Sequence, residues 1–178
     1  MQLTQNDTWI DTFKENATAY LDMMLAPLIE AQIPFSVTLG NHDNQANISH
    51  IEEINHIKAI APLAYVEACA SCGGTGGEAN YFIPVYPCDQ GKIFCTQGKD
   101  WTPNSLFLHG HAAITPSLLL WLFDSRGVSP GPNPTALPDW VDENVADWIA
   151  SISASMGNTW GNPQQSGLQS LVFSHIPP

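Results

Sequence analysis

The chain has 178 residues, 44% of them hydrophobic, which is enough for one domain with a sizeable core and sets it apart from disordered chains. Its 17 acidic residues against 5 basic ones give a formal net charge of -12, and a field of that sign repels nucleic acid and anionic membrane surfaces. The longest apolar run, Leu118 to Phe123, falls far short of the ~20 residues of a membrane span, and Met1 to Thr8 has neither the basic nor the apolar segment of a signal peptide.

In chain order, Ile10, Phe13, Ala17, Tyr20, Met24 and Leu28 recur at three and four and predict an amphipathic helix ending near Ala31, with its last turn kinked by Pro27. Ile33, Phe35, Val37 and Leu39 alternate with Pro34, Ser36 and Thr38, the period of a strand, and this strand runs directly into Gly40-Asn41-His42-Asp43. A second helix is predicted over Ser49 to Ile60, with Ser49 and Glu52 spaced as a capping box and Pro62 closing it. From Cys69 to Thr115 the chain is rich in Gly and turn formers and reads as a long excursion with one strand at Tyr81 to Tyr86.

Ser117 to Phe123 is a continuous apolar run suited to a buried central strand, with Asp124-Ser125-Arg126-Gly127 as its turn. A Pro-rich loop, Ser129 to Pro138, follows; then Trp140, Val141, Val145, Trp148, Ile149 and Ile152 share one helical face, with Asp139 placed to cap it. Leu171 to Phe173 is a short strand that delivers His175. The pattern is α/β, read as a single domain over residues 1–178 with a loop-rich, cysteine-containing excursion at 69–115.

Cys69, Cys72, Cys88 and Cys95 allow two disulfides or one tetrathiolate zinc site. One C-x-x-C followed by two cysteines with six residues between them is not the double pair of a zinc ribbon, so the spacing favours disulfides. Glycosylation acceptors in form at Asn6, Asn16 and Asn47, together with paired cysteines, point to a secreted or vacuolar compartment.

The chemistry concentrates at Gly40-Asn41-His42-Asp43. A strand ending there puts an amide oxygen, an imidazole and a carboxylate at the carboxyl edge of a sheet, where α/β proteins commonly bind ligands. Asn41 offers a neutral hard oxygen to a divalent cation without adding charge that repels a phosphate. His42 can donate a proton to a leaving oxygen or stabilise phosphoryl charge, with Asp43 fixing its orientation. A polar turn uses the same residue types, but a specified tetrapeptide directly after a strand is a narrower coincidence.

With Ile33-Pro34-Phe35, Asn80-Tyr81, Leu122-Phe123-Asp124-Ser125 and Phe173-Ser174-His175-Ile176-Pro177 in matching order, the sequence resembles the calcineurin-like metallophosphoesterases, and within them fungal and plant enzymes similar to purple acid phosphatases. The resemblance implies a partial α/β/β/α sandwich with mixed sheets flanked by helices. It implies two divalent or trivalent metal ions (Fe, Zn, Mn or Mg), one of them held by Asn41 and His175, with His42 assisting at the phosphoryl group of a phosphorylated substrate. It also implies hydrolysis of phosphoric esters by a hydroxide between the two metals.

The family's Asp-x-His and Gly-Asp motifs upstream and its Gly-His-x-His motif downstream are not found in these residues, so the expectation is an internal fragment. The alternative is an inactive binding protein of the same family. His109-Gly110-His111 precedes His175 and lacks the leading Gly, so it is not read as the last motif. His50 and His56 read as ordinary helix residues, Trp140 and Trp148 as core anchors, and Asp124-Ser125-Arg126 as a structural turn rather than a substrate contact.

Overall fold

A computed structural model describes residues 16–43, 47–69, 77–86, 116–127, 138–160 and 168–176. The predicted helix from Ile10 is seen from Ala17, as α1 (Ala17–Glu30), which continues through Pro27 to its end. Its phase differs from the expected one. Ala17, Leu21 and Leu25 are buried, whereas Met24 is 63% exposed, because the i, i+4 series of Ala and Leu faces the neighbouring helix. Past α1, Gln32 adopts φ 56, and Gln32 and Ile33 N–H groups return to the carbonyls of Ile29 and Leu28. This is a Schellman closure in which a non-glycine residue carries the left-handed cost of about 1 kcal/mol.

The second helix, α2 (His50–Ile60), forms as predicted. Ser49 accepts from the Glu52 N–H while the Glu52 carboxylate accepts from Ser49 N–H, closing the capping box. Ile54 and Ile57 are fully buried and pack with Leu25, Leu39, Val66 and Ala79. The Asn47 side chain accepts from Ala17 N–H at 3.1 Å, so it caps α1 in place of Asn16 and ties the entry of α2 to that of α1.

Among the described residues three strands form a mixed sheet in the order β1-β2-β3. β1 (Tyr81–Val85) runs antiparallel to β2 (Leu118–Phe123), with Tyr81 opposite Leu122, and β2 runs parallel to β3 (Gln169–Ser174), with Leu122 opposite Phe173. The apolar run 118–123 is thus the central strand it was expected to be, and its period of two sends side chains to both faces. Leu119, Trp121 and Phe123 join Phe82, Val141, Val145, Met156 and Trp160 in one core, covered by α3 (Asn144–Trp160). Leu122 joins Tyr81 and Ile83 in another. Trp148 meets Trp121 edge-on at 5.6 Å and is the anchor expected of it.

Three further expectations need correction. Ile33 to Leu39 is extended but is not a laddered strand, with one parallel bridge between Phe35 and Ala64. Its backbone groups are satisfied piecemeal. Pro34 has no donor, Phe35 C=O accepts from Tyr65 N–H, the Tyr81 hydroxyl serves both the N–H and the C=O of Val37, and Leu39 C=O accepts from Ser125 N–H. Burial, helped by the charge of Glu67, raises the Tyr81 hydroxyl pKa despite the Val37 bond. Asp139 does not cap α3. Asp142 does, its carboxylate taking Asn144 N–H at 2.9 Å, because Arg126 pins Asp142 at that spot. Trp140 consequently lies ahead of the helix, 51% exposed, with the Arg126 guanidinium 5.9 Å above its ring, and is not the core anchor expected of it.

Cys69 is disulfide-bonded, as the spacing favoured. The remaining cysteines, His109, His111 and the Asn6 acceptor lie outside the described residues.

Candidate functional site

Gly40-Asn41-His42-Asp43 folds into a turn closed from both sides. Asp43 N–H bonds to Gly40 C=O at 3.3 Å, and the Asp43 carboxylate takes Gly40 N–H at 2.6 Å. Asp43 therefore shapes its own loop through the backbone. His42 points outward and is exposed, whereas Asn41 is 5% exposed. Among the described residues the Asn41 Oδ1 has no hydrogen-bond partner. A buried amide oxygen left without one costs on the order of 1–3 kcal/mol, which calls for a ligand to explain it.

β2 and β3 are parallel, so their carboxyl ends emerge at the same edge, Asp124 from one and His175 from the other. That edge meets the Gly40 turn. A Cβ on Gly40 would stand 2.9 Å from Cδ2 of His175, so the glycine leaves the space that the exposed imidazole fills. Asn41 and His175, distant in sequence, are thereby brought to neighbouring positions, while the Ile176 N–H is fastened to Ser125 Oγ at 3.0 Å.

Beneath them lies a polar cluster that the sequence pattern did not single out. Asp124 is fully buried and accepts from Glu78 N–H at 2.8 Å, Ala79 N–H at 3.1 Å and Arg126 N–H at 2.7 Å. It also faces His50 Nδ1 at 2.9 Å. Burial alone would raise the Asp124 pKa, but the His50 contact and the backbone donors outweigh it and hold the carboxyl below its ordinary range. Burial likewise opposes charge on His50, and the Asp124 partner reverses this and raises its pKa.

Glu53, one turn along α2, is 6% exposed, and its Oε2 has no partner among the described residues. Burial, then the charge of Asp43, push its pKa up to about 7. His50 is thus no ordinary helix residue. The only hint was its place in the first turn of the helix that follows the Gly40 loop, which returns it to the same edge. His56 does behave as expected, pairing with Asp22 at 2.6 Å on the surface between α1 and α2.

Arg126 is committed to structure. It is 4% exposed, donates through Nε to Trp140 C=O at 2.9 Å and through Nη1 to Asp142, and so is unavailable to fork onto a phosphate.

The chemistry of the donors fits part of one cation shell. The orphaned Asn41 oxygen is a hard neutral donor, and His175 sits beside its loop with an exposed ring. Among the described residues no group of three His, Cys, Asp or Glu is arranged to hold a metal, so these two donors stand without a third such group.

Residues 6–151 match the family model for calcineurin-like phosphoesterase, a span that takes in Asn41, His42, Asp43 and Asp124 and stops short of His175. No curated protein and no solved structure matches the chain.

Proposed function

The chain belongs to the calcineurin-like phosphoesterase family, and on that premise we propose that it hydrolyses phosphoric esters with metal ions, in the manner of purple-acid-phosphatase-like enzymes. The observation that carries the reading is the buried, unpartnered Oδ1 of Asn41 next to the glycine on which the His175 ring rests. Asn41 and His175 would hold one cation of a pair, with further donors from residues other than those described. The exposed His42 approaches the phosphoryl group and donates a proton to the leaving oxygen. Asp43 keeps His42 and Asn41 on one turn by clasping Gly40.

Bound cations supply the positive charge that lets a chain of net charge -12 accept an anionic ester, and they acidify the attacking water. The substrate class is a phosphorylated small molecule or side chain. The disulfide at Cys69 supports a secreted or vacuolar location.

The test is hydrolysis of a chromogenic phosphomonoester by the gene product extended on both sides, with Mn2+, Zn2+ or Fe2+ added after chelation. The reading expects activity that depends on metal and falls at least about 100-fold in His42→Ala and Asn41→Ala. Activity that survives chelation, or none with any metal, overturns it.

A further inference from the structure

The turn after β2 touches both ligand-bearing loops. Ser125 N–H bonds to the carbonyl of Leu39, the residue before Gly40, at 3.2 Å, and Ser125 Oγ accepts from the N–H of Ile176, the residue after His175. Gly127, at φ 99, lies so close to Asn41 that a Cβ there would stand 2.0 Å from its carbonyl oxygen. The turn is fixed in its own right. Asp124 N–H bonds to the buried Asn80 Oδ1 at 3.0 Å, and the Asp124 carboxylate gathers Glu78, Ala79 and Arg126 N–H groups and the His50 ring. Gly77, at φ 100, is required for this, since a Cβ would meet the carboxylate at 2.5 Å.

We propose that Asp124, paired with His50, is the positioning residue that sets Asn41 and His175 relative to one another, with Ser125 and Gly127 as the two arms that transmit its placement. This rests on the reading of Asn41 and His175 as ligands. Ligands supplied by separate loops must be held to about 0.5 Å by groups behind them, and partners of that kind characteristically change metal affinity 10- to 100-fold when altered. Asp124 is suited to the role because its charge is neutralised by His50 and by three backbone donors, so the turn has one arrangement of lowest energy. Its carboxylate is occupied by these partners, so it acts through the turn it fixes.

NMR of the metal-free chain separates positioning from mere stabilisation. In Asp124→Asn the Asn41 side-chain amide and the His175 ring signals shift together, while the Trp148 indole signal, in the core under α3, stays in place. Ser125→Ala removes a single hydroxyl and keeps the fold, and it moves the His175 ring signals alone. His50→Gln, which preserves a donor towards Asp124, retains more of the wild-type positions than His50→Ala. The proposal is overturned if the His175 ring signals keep their wild-type positions in Ser125→Ala, or if a folded Asp124→Asn leaves both ligand signals unmoved, even with its melting temperature lowered. Mn2+ titration is a separate arm. Binding that weakens about 10- to 100-fold in Asp124→Asn agrees with the proposal. Wild-type protein that takes up no Mn2+ counts against the ligand reading, and the metal-free shifts still decide the positioning claim.

Discussion

Trp121 and Asp124 stand three residues apart at the end of one segment, and both are nearly inaccessible to water, yet they are held by opposite kinds of force. Around Trp121 lie Phe82, Phe123 and Trp148, a packed apolar core between sheet and helix that many side-chain combinations of similar volume would satisfy. Around Asp124 lie an imidazole, three backbone N–H groups and Gly77, and each contact has one partner and one direction. The first region supplies stability with tolerance. The second trades stability for placement, since Asn41 Oδ1, His50 Nε2 and Glu53 Oε2 remain buried without partners.

The largest effect is expected on the apolar side. Trp121→Ala removes the centre of the core and costs about 3–5 kcal/mol in urea unfolding, while any folded fraction keeps the wild-type Asn41 and His175 signals. Selective loss of those signals would erase the distinction between the regions.

Next comes Glu53, whose folded pKa of about 7 lies above its ordinary 4.5. The folded state holds a proton there that the unfolded chain has released, so stability falls as pH rises from about 4.5 to about 7 and then levels. His50 adds in the same direction, because its raised pKa gives stability that is full below 6.5 and lost as pH climbs through the folded value. Asp124, held low, contributes above 3.8 and loses its contribution only on further acidification. Stability should therefore peak at mildly acidic pH. Glu53→Gln should flatten the decline and raise stability at pH 8 by on the order of 3 kcal/mol at most. Wild-type and variant melting temperatures that run parallel from pH 5 to 8 would count against the buried proton.

Gly127→Ala comes third. A methyl group would displace the Asn41 carbonyl in a left-handed turn and cost about 1–3 kcal/mol, with a larger shift of the Asn41 amide signal than of any core indole. The smallest effect belongs to Asn41→Ala. Its Oδ1 has no partner to lose, so calorimetry should show a change within about 1 kcal/mol. A greater loss of stability would mean that Asn41 is structural.

How much of this was legible in the sequence follows the same division. The apolar run 118–123, the capping box at Ser49 and Glu52 and the strand leading to His175 announce themselves, because periodicity and caps are local signals. The helical phase at Met24 and the cap of α3 differ from expectation where tertiary partners decide, Leu21 against Ile48 and Leu25 against α2 in one case and Arg126 holding Asp142 in the other. The extended segment 33–39 carries a strand's alternation, but alternation does not reveal whether a neighbour supplies a ladder. The identities of Asn41, His42, Asp43 and His175 were enough to mark them as candidates. The groups behind them were not, since His50 and Asp124 meet only through the fold, and a histidine early in a helix looks the same with or without a buried carboxylate facing it.

The central claim is that Asn41 and His175 are two donors to one cation. Mn2+ added stepwise to the isotope-labelled chain tests it most directly, because its paramagnetism broadens signals only near the bound ion. The account predicts that the Asn41 side-chain amide and the His175 ring signals broaden first and together, before those of the surface His56. Broadening that begins at His56, or that reaches only one of the two residues, would contradict it.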